Sequence, residues 1–287
     1  MKIGLNTYSF RAELEKTKTL TLDQVFGIAQ KIGLVDGIEL LDRHIPRWSS
    51  GDLKAGVAQI KELAASYKFP IYALGPHLKM YQNNSAAEAK EIQNYKKWID
   101  LAADNGIPQI RSQVAGPFGF FAKKFLNKGV KKVQHLLDQV IPYAEKRNVK
   151  IGIETHWGYS SWPPFLKAIT EIYASSPALG IIFDWGNFWN NDVRYGALEL
   201  AVQPHNHVHN HVKIFHFGEN YQETDYDSMK IVRDFAKNNF TNYFSIEFEG
   251  KQPTIEGVFK SVHALKYAIT NGAHKIPVDY DWNSLLP

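Results

Sequence analysis

The 287-residue sequence contains no cysteine and only three methionines. Without thiols there are no disulfides and no thiolate ligands, so any bound metal must be held by oxygen and imidazole nitrogen. No stretch approaches ~18 consecutive apolar residues, so no membrane-spanning helix is expected. The amino terminus, MKIGLNTYSF, lacks the apolar block and small-residue cleavage site of a signal peptide, and a cytoplasmic location is the expectation. There is no strong excess of one charge either. The formal charge is +4, with Lys and Arg scattered among Asp and Glu apart from short pairs such as Lys123-Lys124 and Lys131-Lys132. That falls short of the concentrated basic stripe of a nucleic-acid binder, so neither nucleic acid nor membrane is expected as a partner.

What is present is a regular alternation. Strand-like runs lie near 2–8, 36–41, 69–75, 108–114, 149–155, 179–184, 211–217 and 243–248. Amphipathic stretches fill the gaps at 21–32, 53–66, 85–104, 129–147, 164–174, 194–202, 227–238 and 255–270. In 21–32, Leu22, Val25, Ile28, Ala29 and Ile32 recur at helical spacing, and Thr21 with Gln24 has the form of a capping box. Pro142 falls inside the fifth amphipathic stretch as a potential kink. Eight strand-then-helix units in unbroken order predict an α/β fold, a closed (β/α)8 TIM barrel, in preference to an open sheet. No linker or composition break divides the chain, so residues 1–287 read as one domain with the tail after Ile276 on its surface.

Four runs in the second half carry an acidic or imidazole side chain near their ends: Glu154 in VKIGIETH, Asp184 in LGIIFDWGN, His216 in HVKIFHFGE and Glu247 in YFSIEFEG. An ionised carboxylate in such a buried run costs several kcal/mol unless it is paired or bound to a metal. Parity places Gly152, Glu154 and His156 on one face of the fifth run, and Ser245 and Glu247 on one face of the eighth, opposite bulkier apolar sets. The carboxyl ends of barrel strands are where active sites are built. Three carboxylates and an imidazole suit Mn2+, Mg2+ or Co2+, and Zn2+ is also compatible. A divalent cation bound to two neighbouring sugar oxygens polarises the carbonyl and stabilises an enediolate. Glu154 and Glu247 could then move a proton between adjacent carbons as base and acid.

His211 is the rival imidazole. The apolar run VKIFHF (212–217) puts His216 at the carboxyl end of the seventh strand and His211 at the other. His216→Ala is therefore expected to weaken metal binding ~10-fold or more, with His211→Ala nearly neutral. The histidines of PHNHVHNH (204–211) are read as a polar loop entering that strand, and Lys213 as an ion-pair residue far from the mouth. His77 in GPHL and His156 are candidate substrate contacts, and Glu39 either faces the mouth or pairs with an arginine such as Arg43. Trp157, Trp162, Trp185 and Trp189 follow the fifth and sixth strands, where an indole can stack on a sugar face. The segment GPFGF (116–120) is too short and too aromatic to be a phosphate loop.

DWGNF (184–188), the H-x-G-E run His216–Glu219 and SIEFEG (245–250) resemble the sugar phosphate isomerase/epimerase superfamily, the xylose-isomerase-like TIM barrels. IGIETH, LNTYSF, GIEL and ALGPHL suit the same family across essentially the whole chain. The resemblance implies a divalent-metal-dependent isomerase or epimerase acting on a small-molecule sugar or sugar phosphate. It also implies that Glu154, Asp184, His216 and Glu247 bind the metal, with Glu154 and Glu247 transferring protons. Many members have histidine where this chain has Asn187; an amide can hold a sugar hydroxyl but cannot shuttle a proton. The alternatives are a lyase such as a keto-inositol dehydratase, or a non-catalytic sugar-binding barrel. A nuclease of this fold is rejected, because the third and fourth runs supply only His77, Arg111, Ser112 and Gln113 toward a metal cluster. The substrate's identity is not legible. Oligomeric state also stays open, a homodimer being compatible with a barrel of this size.

Overall fold

The computed structural model describes residues 1–117 and 119–286. Phe118, within the GPFGF segment, and Pro287, at the end of the expected domain and tail, lie outside the described residues. Eight strands form one sheet: β1 Lys2–Asn6, β2 Gly37–Leu41, β3 Ile71–Gly75, β4 Gln109–Ser112, β5 Lys150–Glu154, β6 Leu179–Ile182, β7 Asn210–Val212 and β8 Tyr243–Ile246. Their order is β6-β5-β4-β3-β2-β1-β8-β7, and the ladders β1–β2, β1–β8, β3–β4, β4–β5 and β5–β6 are parallel. The helices between them are α1 Leu22–Ile32, α2 Leu53–Ser66, α3 Ser85–Asp104, α4 Gly119–Lys124, α5 Leu126–Arg147, α6 Pro163–Ile172, α7 Asn191–Ala201 and α8 Ser228–Lys237, and α9 Thr254–Ile269 follows β8. This is the (β/α)8 TIM-barrel fold. Parallel strands need such crossovers, and the helices they bring cover the sheet. No described helix is long and apolar enough to cross a membrane.

By internal contacts the chain divides into two compact units, residues 1–72 with 211–287 and residues 73–210. In the first, Thr21 and Gln24 form the expected capping box, and Gly33 at φ 73° ends α1 in the left-handed conformation. Phe26 joins Val25, Ile28, Ala29 and Ile32 on the buried face of α1. Beneath β1, a Cβ on Gly4 would lie 2.1 Å from the Tyr72 hydroxyl, and one on Gly37 would lie 3.1 Å from the same ring. Tyr72 thus fills a slot that two glycines leave open, stacked on Tyr243 at 3.8 Å.

The tail of this unit packs on α9 through Phe259, Tyr280 and Trp282. His263 Nδ1 and His274 Nε2 meet there at 2.8 Å. Burial pushes His263 down to about 4, helped by the neighbouring His274. Between pH 6.5 and 4 the unfolded chain therefore binds a proton that the folded chain resists, so stability falls as the pH drops through that window. At ~1.4 kcal/mol per pKa unit, reduced because a protonated ring could still donate to its neighbour, the loss is about 2 kcal/mol. Urea melts at pH 7.5 and 4.5 should show that loss, and His263→Leu should remove most of it. An unchanged slope in the variant would assign the acid sensitivity elsewhere.

In the second unit, only glycine fits at 152 and 180. A Cβ there would lie 2.5 Å from Ile182 and 2.4 Å from Val208, respectively. Helix α5 continues through Pro142 to Arg147. Helix α4, in a stretch with no amphipathic period to announce it, is an addition to the eight expected helices.

The largest departure from expectation is β7. It ends at Val212, whereas the apolar run predicts strand through 217. Beyond Val212 the ladder is replaced by side-chain bonds. The Glu223 carboxylate accepts from Phe215 N at 2.6 Å and His216 N at 3.2 Å, and the Tyr226 hydroxyl donates to the Lys213 carbonyl. Backbone groups that would have paired with a neighbouring strand are satisfied locally.

Candidate metal centre

In the first unit the ends of β1, β2, β7 and β8 place Asn6, Glu39, His211 and Glu247 together. His211 Nδ1 lies 3.1 Å from Glu247 Oε2, and its Nε2 lies 3.1 Å from both Glu39 oxygens. His211 and Glu39 are fully buried. Asn6 Nδ2 donates to Glu247 Oε2 at 3.0 Å. Lys213 Nζ sits 2.9 Å from Glu247 Oε1 and 2.8 Å from Glu249 Oε1, and Arg11 holds the other oxygen of Glu249 at 3.2 Å. Glu39 also accepts from Ser245 Oγ at 2.7 Å, which in turn accepts from the Tyr72 hydroxyl. Carboxylates this deep persist only because each has cationic or hydrogen-bonding partners.

His216, the imidazole chosen from the apolar run, is not part of this group. Its side chain is 59% exposed, 3.3 Å from Asp225 and 3.8 Å from Glu223 in the loop after β7. The imidazole beside Glu247 is His211. The early end of β7 is the physical reason, since it brings His211 to the strand's working end and leaves His216 in the loop. Lys213 is likewise not remote: it neutralises Glu247 directly. Glu39 pairs with His211, whereas Arg43 pairs with Glu15 at 2.6 Å.

In the second unit Glu154, at the end of β5, is fully buried. Its Oε2 accepts from Arg111 Nη1 and Gln113 Nε2, both at 3.0 Å. Arg111 stands opposite Gly152 in the β4–β5 register, which sets Gln113 beside Glu154. Asp184, also buried, accepts from Gly186 N at 2.8 Å and Asn187 N at 3.1 Å through Oδ1, a turn that fixes its carboxylate just past β6. Thr155 Oγ1 accepts from Asp184 N at 2.8 Å and ties the β5 end to the same turn. Asn187 is buried and its carbonyl accepts from Ser161 Oγ at 3.1 Å. His156 is half-buried and His77 exposed. Trp185 is buried, while Trp157 and Trp189 are exposed. Trp157 has φ 33°, an uncommon conformation for a bulky residue.

Among the described residues, Glu, Asp and His side chains form groups able to hold a metal ion. The donor set is carboxylate and imidazole, as the lack of cysteine requires. It fits hard or borderline divalent cations.

The chain belongs to the xylose isomerase-like TIM barrel family, whose model matches residues 26–268. Solved structures of the same fold include a probable 3-DHS dehydratase, AsbF, from Bacillus anthracis, at 17% identity and TM-score 0.68, covering 93% of this chain and 99% of that one. A D-tagatose 3-epimerase-like protein is 15% identical at TM-score 0.67, covering 96% of this chain and 100% of that one. The IOLI protein, solved with a zinc atom, is 14% identical at TM-score 0.65, covering 96% and 99%. A stretch of 70 residues is 37% identical to the alpha subunit of a 3'-dehydrocarminate deglycosidase from a Microbacterium species. That match covers 22% of this chain and only 20% of the relative's length.

Proposed function

We propose that this barrel, acting as one domain, is a divalent-metal-dependent isomerase or epimerase of a sugar or sugar phosphate. The observation that carries the reading is His211, buried with one ring nitrogen at Glu247 and the other at Glu39. This is the arrangement of a ligand imidazole oriented by a second carboxylate. We assign Glu154, Asp184 and Glu247, with His211 in place of His216, as the ligands of that ion. Mn2+, Mg2+ and Co2+ suit three carboxylates and an imidazole, with Zn2+ also accommodated. Such an ion would polarise a substrate carbonyl and lower the cost of the enediolate.

The proton is moved by the protein. One of the two glutamates, Glu154 or Glu247, takes a proton from the carbon next to the carbonyl, and the other, carrying a proton of its own, delivers it to the neighbouring carbon or the opposite face. Lys213 and Asn6 fix the Glu247 carboxylate, and Arg111 and Gln113 fix that of Glu154. Asn187 and His156 are assigned to substrate hydroxyls, with His77 at the periphery.

A second reading is a lyase of the keto-inositol dehydratase kind, and one observation favours it. A buried guanidinium 3.0 Å from Glu154 stabilises the charged carboxylate, which suits a base better than a group that must also return the proton. The probable dehydratase among the solved structures of this fold supports such a reading. The test is an NMR screen of ketoses and inososes in deuterated water with Mn2+ supplied. Deuterium at the carbon next to the carbonyl is expected. A product of unchanged formula identifies the isomerase, and loss of water identifies the lyase. Binding with no exchange across the panel would replace both readings by a non-catalytic sugar-binding barrel.

A further inference from the structure

We propose that Glu39 is a positioning residue that dictates which nitrogen of His211 meets the metal, with Ser245 and Tyr72 as its supports. The inference rests on His211 being a ligand and adds what makes it one. An imidazole can offer a metal only the nitrogen that carries no proton, and the bond made by the other nitrogen decides which that is. Both Glu39 oxygens lie 3.1 Å from Nε2, a symmetric acceptor at which an N–H can point. Nδ1 is then the nitrogen turned toward Glu247. Glu39 has little freedom to turn away. It is fully buried and takes the Ser245 hydroxyl on Oε2 at 2.7 Å, and Tyr72 donates to that hydroxyl from behind. Each hydroxyl of this relay donates toward Glu39, so the carboxylate is left as the acceptor for the ring N–H as well. A glutamine at 39 would present an amide as well as a carbonyl. Its N–H2 could donate to Nε2, which would hold the ring proton on Nδ1 and block the ligand position.

The experiment uses full-length protein labelled with 15N-histidine. Loaded with Zn2+, wild type should show His211 bound through Nδ1 with its proton on Nε2. Glu39→Gln should lower Zn2+ and Mn2+ affinity ~10–100-fold, the range for loss of an orienting partner. It should also shift the ring toward an Nδ1 proton, while circular dichroism stays that of wild type. Glu39→Asp, which keeps an acceptor, should recover part of the affinity. Binding through Nε2 in wild type, or unchanged affinity and ring state in Glu39→Gln, would overturn the proposal. If Glu39→Gln does not fold, Ser245→Ala takes its place, with the same shift expected at smaller size and no change counting against the role. If wild type takes up no metal, the proposed function fails separately. Glu39 is then judged on the metal-free protein, where a slowly exchanging Nε2 proton must be present and must be lost in Ser245→Ala or Glu39→Gln for the assignment to stand.

Discussion

Glu247→Gln is expected to keep the fold and to lose substrate deuterium exchange by ~10²–10⁴-fold, the usual cost of removing a general base. The substitution preserves shape, and Lys213 keeps Glu249 at 2.8 Å as a counter-charge, so no buried cation is stranded. Asn6 can still donate to the amide oxygen. What disappears is the negative charge beside His211 and the oxygen that would accept a proton. Thermal melts should therefore stay close to wild type while exchange collapses. Exchange at the wild-type rate would make Glu247 a bystander and turn attention to Glu249, which shares Lys213.

His211→Ala should weaken Mn2+ binding by ~100-fold or more, because it deletes the proposed ligand, where even an orienting partner is worth ~10–100-fold. His216→Ala should change affinity less than ~2-fold, since a side chain 59% exposed beside Asp225 and Glu223 has no part in the buried group. Calorimetric titration of chelator-treated protein separates the two. The opposite ranking would move the centre to the loop after β7. His211→Ala should also cost stability, because Glu39 and Glu247 lose the group that lies between them.

The barrel and the burial of three strand-end carboxylates were legible because both depend on local pattern. Strand period, helix period and the capping box at Thr21 are written in neighbouring residues, and α2 and α3 begin and end where the apolar spacing does. Glu154, Asp184 and Glu247 stood out as charges at the ends of apolar runs. The positions of His211 and His216 were not legible, because the end of β7 is not set by its own residues. Its limit depends on Glu223 and Tyr226, eight and thirteen positions beyond the groups they bond, Phe215 and Lys213. An apolar run such as IFHF looks like strand until a distant carboxylate takes its N–H groups. Arg111 and Gln113 were noticed only as poor metal ligands. Their pairing with Glu154 could have been found, since β4 and β5 are consecutive parallel strands and the three residues share one parity. Glu39 offered no such cue, because its partner His211 lies 172 positions away.

The slot around Tyr72 extends the reach of the site into residues that touch no ligand. Gly4 and Gly37 leave room for the ring, the ring's hydroxyl steadies Ser245, and Ser245 steadies Glu39. A methyl group added at position 4 would need the space of the Tyr72 hydroxyl, so the ring would have to withdraw and Ser245 would lose its donor. Mutational tolerance at position 4 should therefore resemble that of a metal ligand and not that of a strand residue. In a library that varies this chain and selects for metal uptake, positions 4 and 72 should be inherited together: a larger residue at 4 survives only where 72 has become smaller.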